Sequence, residues 1–162
     1  MTLDELVGVL EDMRDRAAQA APPVAMEMAR VYSAHLSHVT LRRTEATPGQ
    51  FGSPAPPGSP PAYRMGVLAG SVTHWPGPSS GLSALAYAGP HTIYAATQEY
   101  GAVHFARDHP YMRWHNDGGW WAKKRVEIPA RPYMQPAVAE VVADGSVQRA
   151  AALMFRSLVG HY

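Results

Sequence analysis

The chain has no cysteine. That excludes disulfides, thiolate zinc sites and cysteine nucleophiles together, and leaves the redox compartment open. It has no run of 18 apolar residues, and its first ten positions carry two acids. The expectation is therefore neither a membrane span nor a signal peptide. The formal net charge is +1, where a dedicated nucleic-acid binder is strongly basic. Charge is also scarce locally: residues 46–106 hold only Arg64 and Glu99. Residues 1–45 hold seven acids and five bases, and residues 107–131 six bases and three acids. A neutral middle is buried in its own core, buried against a partner, or looped out, and different parts of it are expected to do each.

What the chain has in quantity is proline, 15 in 162 residues, most of it marking loops and turns. The length suits a single domain over 1–162. Within it the expected segments are helical over 1–45, a Pro/Gly-rich loop over 46–63, a sheet with a short helix over 64–130, and helices over 131–162.

Thr2 and Glu5 have the spacing of a capping box, in which hydroxyl and carboxylate close the first turn of a helix reciprocally. Leu3, Leu6, Val7, Leu10 and Met13 form an apolar stripe opposed by Asp4, Glu11, Asp12 and Arg16. The acidic back of this helix argues for a paired amphipathic helix rather than a membrane-surface one. Ala21-Pro22-Pro23 is expected to interrupt or kink the helix, with a second stripe at Val24, Met28, Val31, His35 and Val39 running to about Thr44. The run from Thr47 to Pro61 cannot bury enough apolar surface to order itself. It reads either as a linker or as a polyproline arm that orders against a neighbouring subunit.

Gly66–Ser71 is expected to form a short helical turn and Val72–Trp75 to start a strand. Pro76-Gly-Pro-Ser-Ser-Gly81 reads as a turn, and Leu82–Ala88 as a returning strand. In His91–Gly101, Ile93, Ala96 and Tyr100 lie at helical spacing with Tyr94 one position over, and Gly101 suits the helix end. Val103–Arg107 reads as a short strand. Tyr111–His115 and Trp120–Ile128, joined through Asp117-Gly118, carry a strong hairpin signal. The ending is helical over Pro132–Ala143, with Pro132 and Pro136 in the first turn, where a missing N–H costs nothing. After a break at Asp144-Gly145, Ser146 is expected to cap a helix to Leu158 that buries Val147, Ala151, Met154 and Leu158.

No catalytic constellation stands out. His104, His109 and His115, with Asp108 and Asp117, suggest at most a metal-dependent nuclease or hydrolase, and their spacing matches no helical zinc signature. Exposed or hydrogen-bonding strand histidines are the plainer reading. Ser71 lacks the flanking glycine of a nucleophile elbow. Lys123, Lys124 and Arg125 lie close in sequence to Arg113, Trp114, Trp120 and Trp121, a mixture of base and aromatic that can grip single-stranded nucleic acid. The near-zero net charge favours instead a solvated strand face beside a half-buried aromatic one.

Three stretches recur in a recognisable order: Pro60-Pro61 leading to Gly66-Val-Leu-Ala-Gly-Ser71-Val72, then Tyr94-Ala-Ala-Thr-Gln-Glu-Tyr-Gly101, then Arg131-Pro-Tyr-Met-Gln-Pro-Ala137. In that order they resemble the neck and tail-completion proteins of tailed phages, also described as tail components or virion morphogenesis proteins. The resemblance covers about residues 55–145. Ala69 stands where the family usually has a basic residue, and the hairpin at 111–127 is longer than usual.

The resemblance implies an α+β subunit, with N-terminal and C-terminal helices packed on a small antiparallel β-sheet with a long hairpin. It implies a non-enzymatic, cofactor-free virion protein, made in the host cytoplasm and assembled as a homo-oligomeric ring in the head-to-tail connector. Its partners would be other neck proteins (adaptor and stopper) and tail tube proteins. A tail terminator capping the tube is the variant within the same class. On this reading Tyr94, Glu99, Tyr100, Gly101, Arg131, Pro132, Tyr133, Trp114, Trp120 and Trp121 are interface or structural residues. Lys123, Lys124 and Arg125 would face genomic DNA in the channel. Arg131 is the expected partner of the isolated Glu99, since a buried unpaired carboxylate costs several kcal/mol.

Overall fold

A computed structural model describes residues 2–43, 55–116 and 119–159. The fold is α+β, with five helices and three two-stranded ladders among the described residues. By proximity the chain gathers into two compact units, each assembled from separated segments. The first comprises Met1–His35, Val72–Gly89 and Val138–Tyr162; the second comprises Leu36–Ser71 and Pro90–Ala137.

The first unit is built on helix α1, Leu3–His38. Its start is the expected capping box: Thr2 N donates to Glu5 Oε2 at 2.6 Å, and Glu5 N donates to the Thr2 hydroxyl at 3.3 Å. Pro22 and Pro23 lie inside a continuous helix rather than breaking it in two. Proline holds φ near the helical value, so the direct loss is the two hydrogen bonds owed to the carbonyls of Ala18 and Gln19, plus crowding of the preceding turn. The buried line along the helix is Ala20, Ala29 and Ser33, continuing as Leu36 and Thr40 in the second unit. That line is offset by one residue from the expected stripe, which leaves Met28 and Val39 exposed. The shift reflects a small polar residue used as core: the Ser33 hydroxyl donates to Arg30 O at 2.9 Å and lies 3.2 Å from His74 Nδ1.

Strands β1 (Val72–Ser80) and β2 (Ser83–Pro90) form a hairpin. The Pro76–Gly81 stretch expected as a turn is mostly strand, and only Gly81-Leu82 connects. Pro76 and Pro78 are two apart, so their missing N–H groups fall on one edge, which a two-stranded ladder can leave unpaired. Trp75 and Tyr87 lie across the hairpin with ring centroids 5.9 Å apart. Helix α5, Ser146–Val159, completes the unit. Its cap is Asp144, whose Oδ1 accepts from Ser146 N at 2.7 Å. The Ser146 hydroxyl, expected as the cap, lies 3.4 Å from Val141 O.

The second unit holds a 3₁₀ turn at Thr40–Arg42, the short helix α2 (Val67–Gly70), helix α3 (Ala95–Tyr100) and strands β3 to β6. Helix α4, Met134–Ala143, begins in this unit, and its later turns count with the first. Strand β3 (Ala102–Phe105) pairs antiparallel with β6 (Arg125–Ile128), Ala102 opposite Ile128. Strand β4 (Met112–Asn116) pairs antiparallel with β5 (Gly119–Lys123), Trp114 opposite Trp121. The returning run 120–128, expected as one strand of a long hairpin, is thus divided at Lys124 between two ladders. Asp117-Gly118, the expected turn, lies outside the described residues. The core of this unit is Leu36, Leu41, Ala69, Ala95, Tyr133 and Ala137, with Glu99 and Arg131 buried among the polar residues.

Candidate functional site

The three stretches that carry the resemblance lie in the second unit as far as Ser71 in the first of them, and their backbones are tied together. His91 N donates to Ser71 O at 3.2 Å, and Arg131 N donates to Gln98 O at 2.7 Å. The central contact belongs to Glu99, only 7% exposed. Its Oε2 accepts from Tyr133 N at 2.8 Å and Met134 N at 3.0 Å, and its Oε1 from Gln135 N at 3.4 Å. These are the orphan donors at the start of α4, and Pro136 follows with no N–H to satisfy. One carboxylate therefore closes the helix start, where the dipole favours negative charge.

Glu99 does not pair with Arg131. The Arg131 guanidinium, also buried, donates from Nε to Ala55 O at 2.8 Å and from Nη1 to Pro129 O at 3.3 Å. Gly58 N adds a bond to Ala130 O at 3.0 Å. The described end of the proline-rich stretch, residues 55–61, is thereby anchored to its own unit rather than extended as an arm; residues 44–54 lie outside the description. Nothing in the sequence marks this, because the acceptors are backbone carbonyls.

Tyr133 is fully buried, and its hydroxyl donates to Ala95 O at 3.1 Å. Gly101 has φ 74° and ψ 170°, a region open essentially to glycine alone. A Cβ there would sit 2.8 Å from Ile128 O and 2.9 Å from Ala130 N. Helix α3 can turn directly into β3 only with glycine at this point. Pro132 is half-buried beside these residues.

The apolar residues of the same stretch face the other way. Ile93 is fully exposed, Tyr100 is 79% exposed, and Tyr94 and Ala96 are exposed as well. Helix α3 therefore buries Ala95 and Glu99, while Ala96 and Tyr100 on it and Ile93 and Tyr94 just before it are exposed, so the line Ile93, Ala96 and Tyr100 that the periodicity marks as buried is the open one. Beside it is a concavity of about 310 Å³, lined by Tyr63, Arg64, Tyr94, Gln98, Arg131 and apolar neighbours, with no carboxylate among its described lining residues. The Arg42 guanidinium stacks on the Tyr63 ring, 5.3 Å from its centroid.

On the β4–β5 hairpin, Trp114 is half-buried, while Trp120 is 77% exposed and Trp121 is exposed too. His115 meets the Trp120 ring edge-on at 5.3 Å. The three expected DNA-facing bases have different surroundings. Lys123 ends β5, Lys124 Nζ lies 5.6 Å from the Tyr111 ring centroid, and Arg125 Nη2 pairs with Glu127 at 3.2 Å. His104 lies on β3, His109 in a loop and His115 on β4. Among the described residues no group of three His, Cys, Asp or Glu is placed to hold a metal ion.

No protein-family model, curated protein or solved structure matches the chain.

Proposed function

We propose that the chain is a structural subunit of a tailed-phage virion, assembling as a homo-oligomeric ring in the head-to-tail connector region. The observation that carries this reading is the exposed apolar face at helix α3. Glu99 is bonded inward to the start of α4, and Ile93 and Tyr94 just before the helix and Tyr100 at its end are open to solvent. Exposed apolar and aromatic groups on a charge-depleted segment suit a protein–protein contact. In a cyclic ring that contact is heterologous, so the patch meets a different surface of the next copy. The interlocking of the three motif stretches supports the same reading, since they are the residues on which the resemblance rests.

Neighbouring neck or tail tube proteins are the further partners on this reading. The exposed Trp120 and Trp121 are candidates for that contact, and Lys123 is the base best placed to meet channel DNA. Electron micrographs of the purified full-length protein test the proposal. Ring-shaped class averages are expected, lost in an Ile93→Asp, Tyr100→Asp variant that keeps its circular dichroism. A compact monomer at every concentration overturns it. Detection on purified tails rather than heads would make the ring a tail terminator.

A further inference from the structure

Arg131 is a buried charge without a counter-ion. It is only 6% exposed. A guanidinium carries five N–H donors. Arg131 uses two of them, on Ala55 O at 2.8 Å and Pro129 O at 3.3 Å, and both acceptors are neutral carbonyls. No carboxylate among the described residues pairs with it, and Glu99 has both oxygens committed to the start of α4. A buried cation left in this state is destabilising, and a bound anion offsets that.

The unused donors are not sealed inside the protein. Among the described residues, the fully buried side-chain polar atoms without a partner are Thr40 Oγ1 and Thr92 Oγ1, and Arg131 Nη2 is not one of them. The free end of the guanidinium therefore reaches open space. The open space that Arg131 lines is the concavity of about 310 Å³, the small end of the range for ligand sites.

The rest of the wall narrows the ligand. Pro61, Met65 and Leu68 are apolar, and Tyr63 and Tyr94 add aromatic rings with hydroxyl groups. Tyr63 is held from two sides. Arg42 lies over its ring, and its hydroxyl comes so close to Gly66 that a Cβ there would sit 2.7 Å away. A guanidinium fork matches the two oxygens of a carboxylate. One nearly buried guanidinium balances one negative charge. A dianion such as phosphate would bring a second charge to desolvate against a mainly apolar wall.

We propose that this concavity binds an organic carboxylate, its charged group paired with Arg131 and its apolar body resting on Pro61, Met65 and Leu68. The site lies wholly within the second unit, and the proposal does not rest on the ring reading.

Titration calorimetry of the full-length protein with sodium benzoate tests it. Saturable binding is expected, at least about tenfold tighter than for benzamide, the neutral analogue of the same shape, and tighter than for inorganic phosphate. Met65 is 83% exposed, so Met65→Glu places a competing carboxylate at the concavity without disturbing the core. That variant should bind benzoate at least about tenfold more weakly, and Met65→Gln should bind like the parent. Arg64→Gln, at an exposed position on the same wall, should lose less than Met65→Glu. N-acetyl-leucyl-phenylalanine separates the sources of the carboxylate. If it binds tighter than benzoate and its C-terminal amide does not bind, the natural ligand is the end of a partner chain; if benzoate binds tighter, it is a free acid. No saturable binding of either acid, or equal binding of benzoate and benzamide, overturns the proposal and leaves Arg131 as a staple between residues 55 and 129. Complete loss in Arg64→Gln overturns it too, by placing the anion on the exposed arginine. Ring-shaped particles in the same samples bear on the ring reading alone.

Discussion

Glu99 and Tyr133 are joined through a side chain on one side and a backbone on the other: the carboxylate accepts the Tyr133 N–H at 2.8 Å, thirty-four residues away. The same oxygen takes the next N–H of α4, and the second oxygen the one after. A helix start is normally closed by a residue adjacent in sequence. Here the closing group comes from another helix, so α3 and α4 cannot form independently.

Replacing Glu99 with alanine leaves those buried donors without an acceptor. Unfolding in urea should show a loss of about 2–4 kcal/mol, the range for losing several charge-assisted bonds at a buried site. Glu99→Gln, which keeps one carbonyl oxygen, should lose less. Equal stability of Glu99→Ala and the parent would show that water replaces the carboxylate freely.

Two glycines should respond in opposite directions to alanine. Gly8 lies within α1 with open space around it, so Gly8→Ala should stabilise by about 0.5–1 kcal/mol. Gly101→Ala meets the backbone of residues 128 and 130 and needs a forbidden conformation. It should cost about 1–3 kcal/mol or abolish soluble expression, read by thermal melting.

Thr40 is fully buried, and its hydroxyl has no hydrogen-bond partner among the described residues. Thr40→Val keeps the shape and removes the orphaned group. A stabilisation of about 1 kcal/mol is expected in denaturant unfolding. A loss of that size would mean that the hydroxyl is satisfied in solution.

Two carboxylates contribute to acid sensitivity. The hydroxyl of Ser146 and then its backbone N–H hold Asp144 below its ordinary pKa, and the Arg30 guanidinium, bonded to both oxygens at 2.7 Å, holds Glu27 below its own. A depressed folded value means that the unfolded chain binds more protons in that range. The contribution is therefore complete above the unfolded pKa and disappears as pH falls through the lower, folded one. Asp144→Asn should flatten that part of the stability curve below the ordinary aspartate range, without changing it near neutrality. An unchanged acid limb would remove Asp144 from the account.

Elements set by neighbouring residues were legible. The Thr2–Glu5 capping box, the short turn at 66–71 and the paired strands around 112–123 all follow from spacings of a few residues. The division of the 120–128 run was not, because β-branched and aromatic residues specify a strand without specifying its partner. The candidate site was legible as a set of residues but not as a mechanism. Glu99 stood out as a lone acid and Arg131 as its natural counter-ion, yet both are satisfied mainly by backbone. Backbone donors and acceptors are the same at every position and leave no trace in composition.

The chain's order of residues by itself determined the helical ends and the stranded middle, the absence of cysteine chemistry and the apolar stripe that opens α1. Each of these depends only on residue identity and local periodicity. Tertiary structure decided which faces are covered: that α3 turns Ala95 and its carboxylate inward and leaves Ala96 and Tyr100 outward, and that α1 is exposed up to Asp15 and partly covered beyond it. Periodicity shows that a helix has two faces; only the position of a distant partner, here the open start of α4, determines which face is buried.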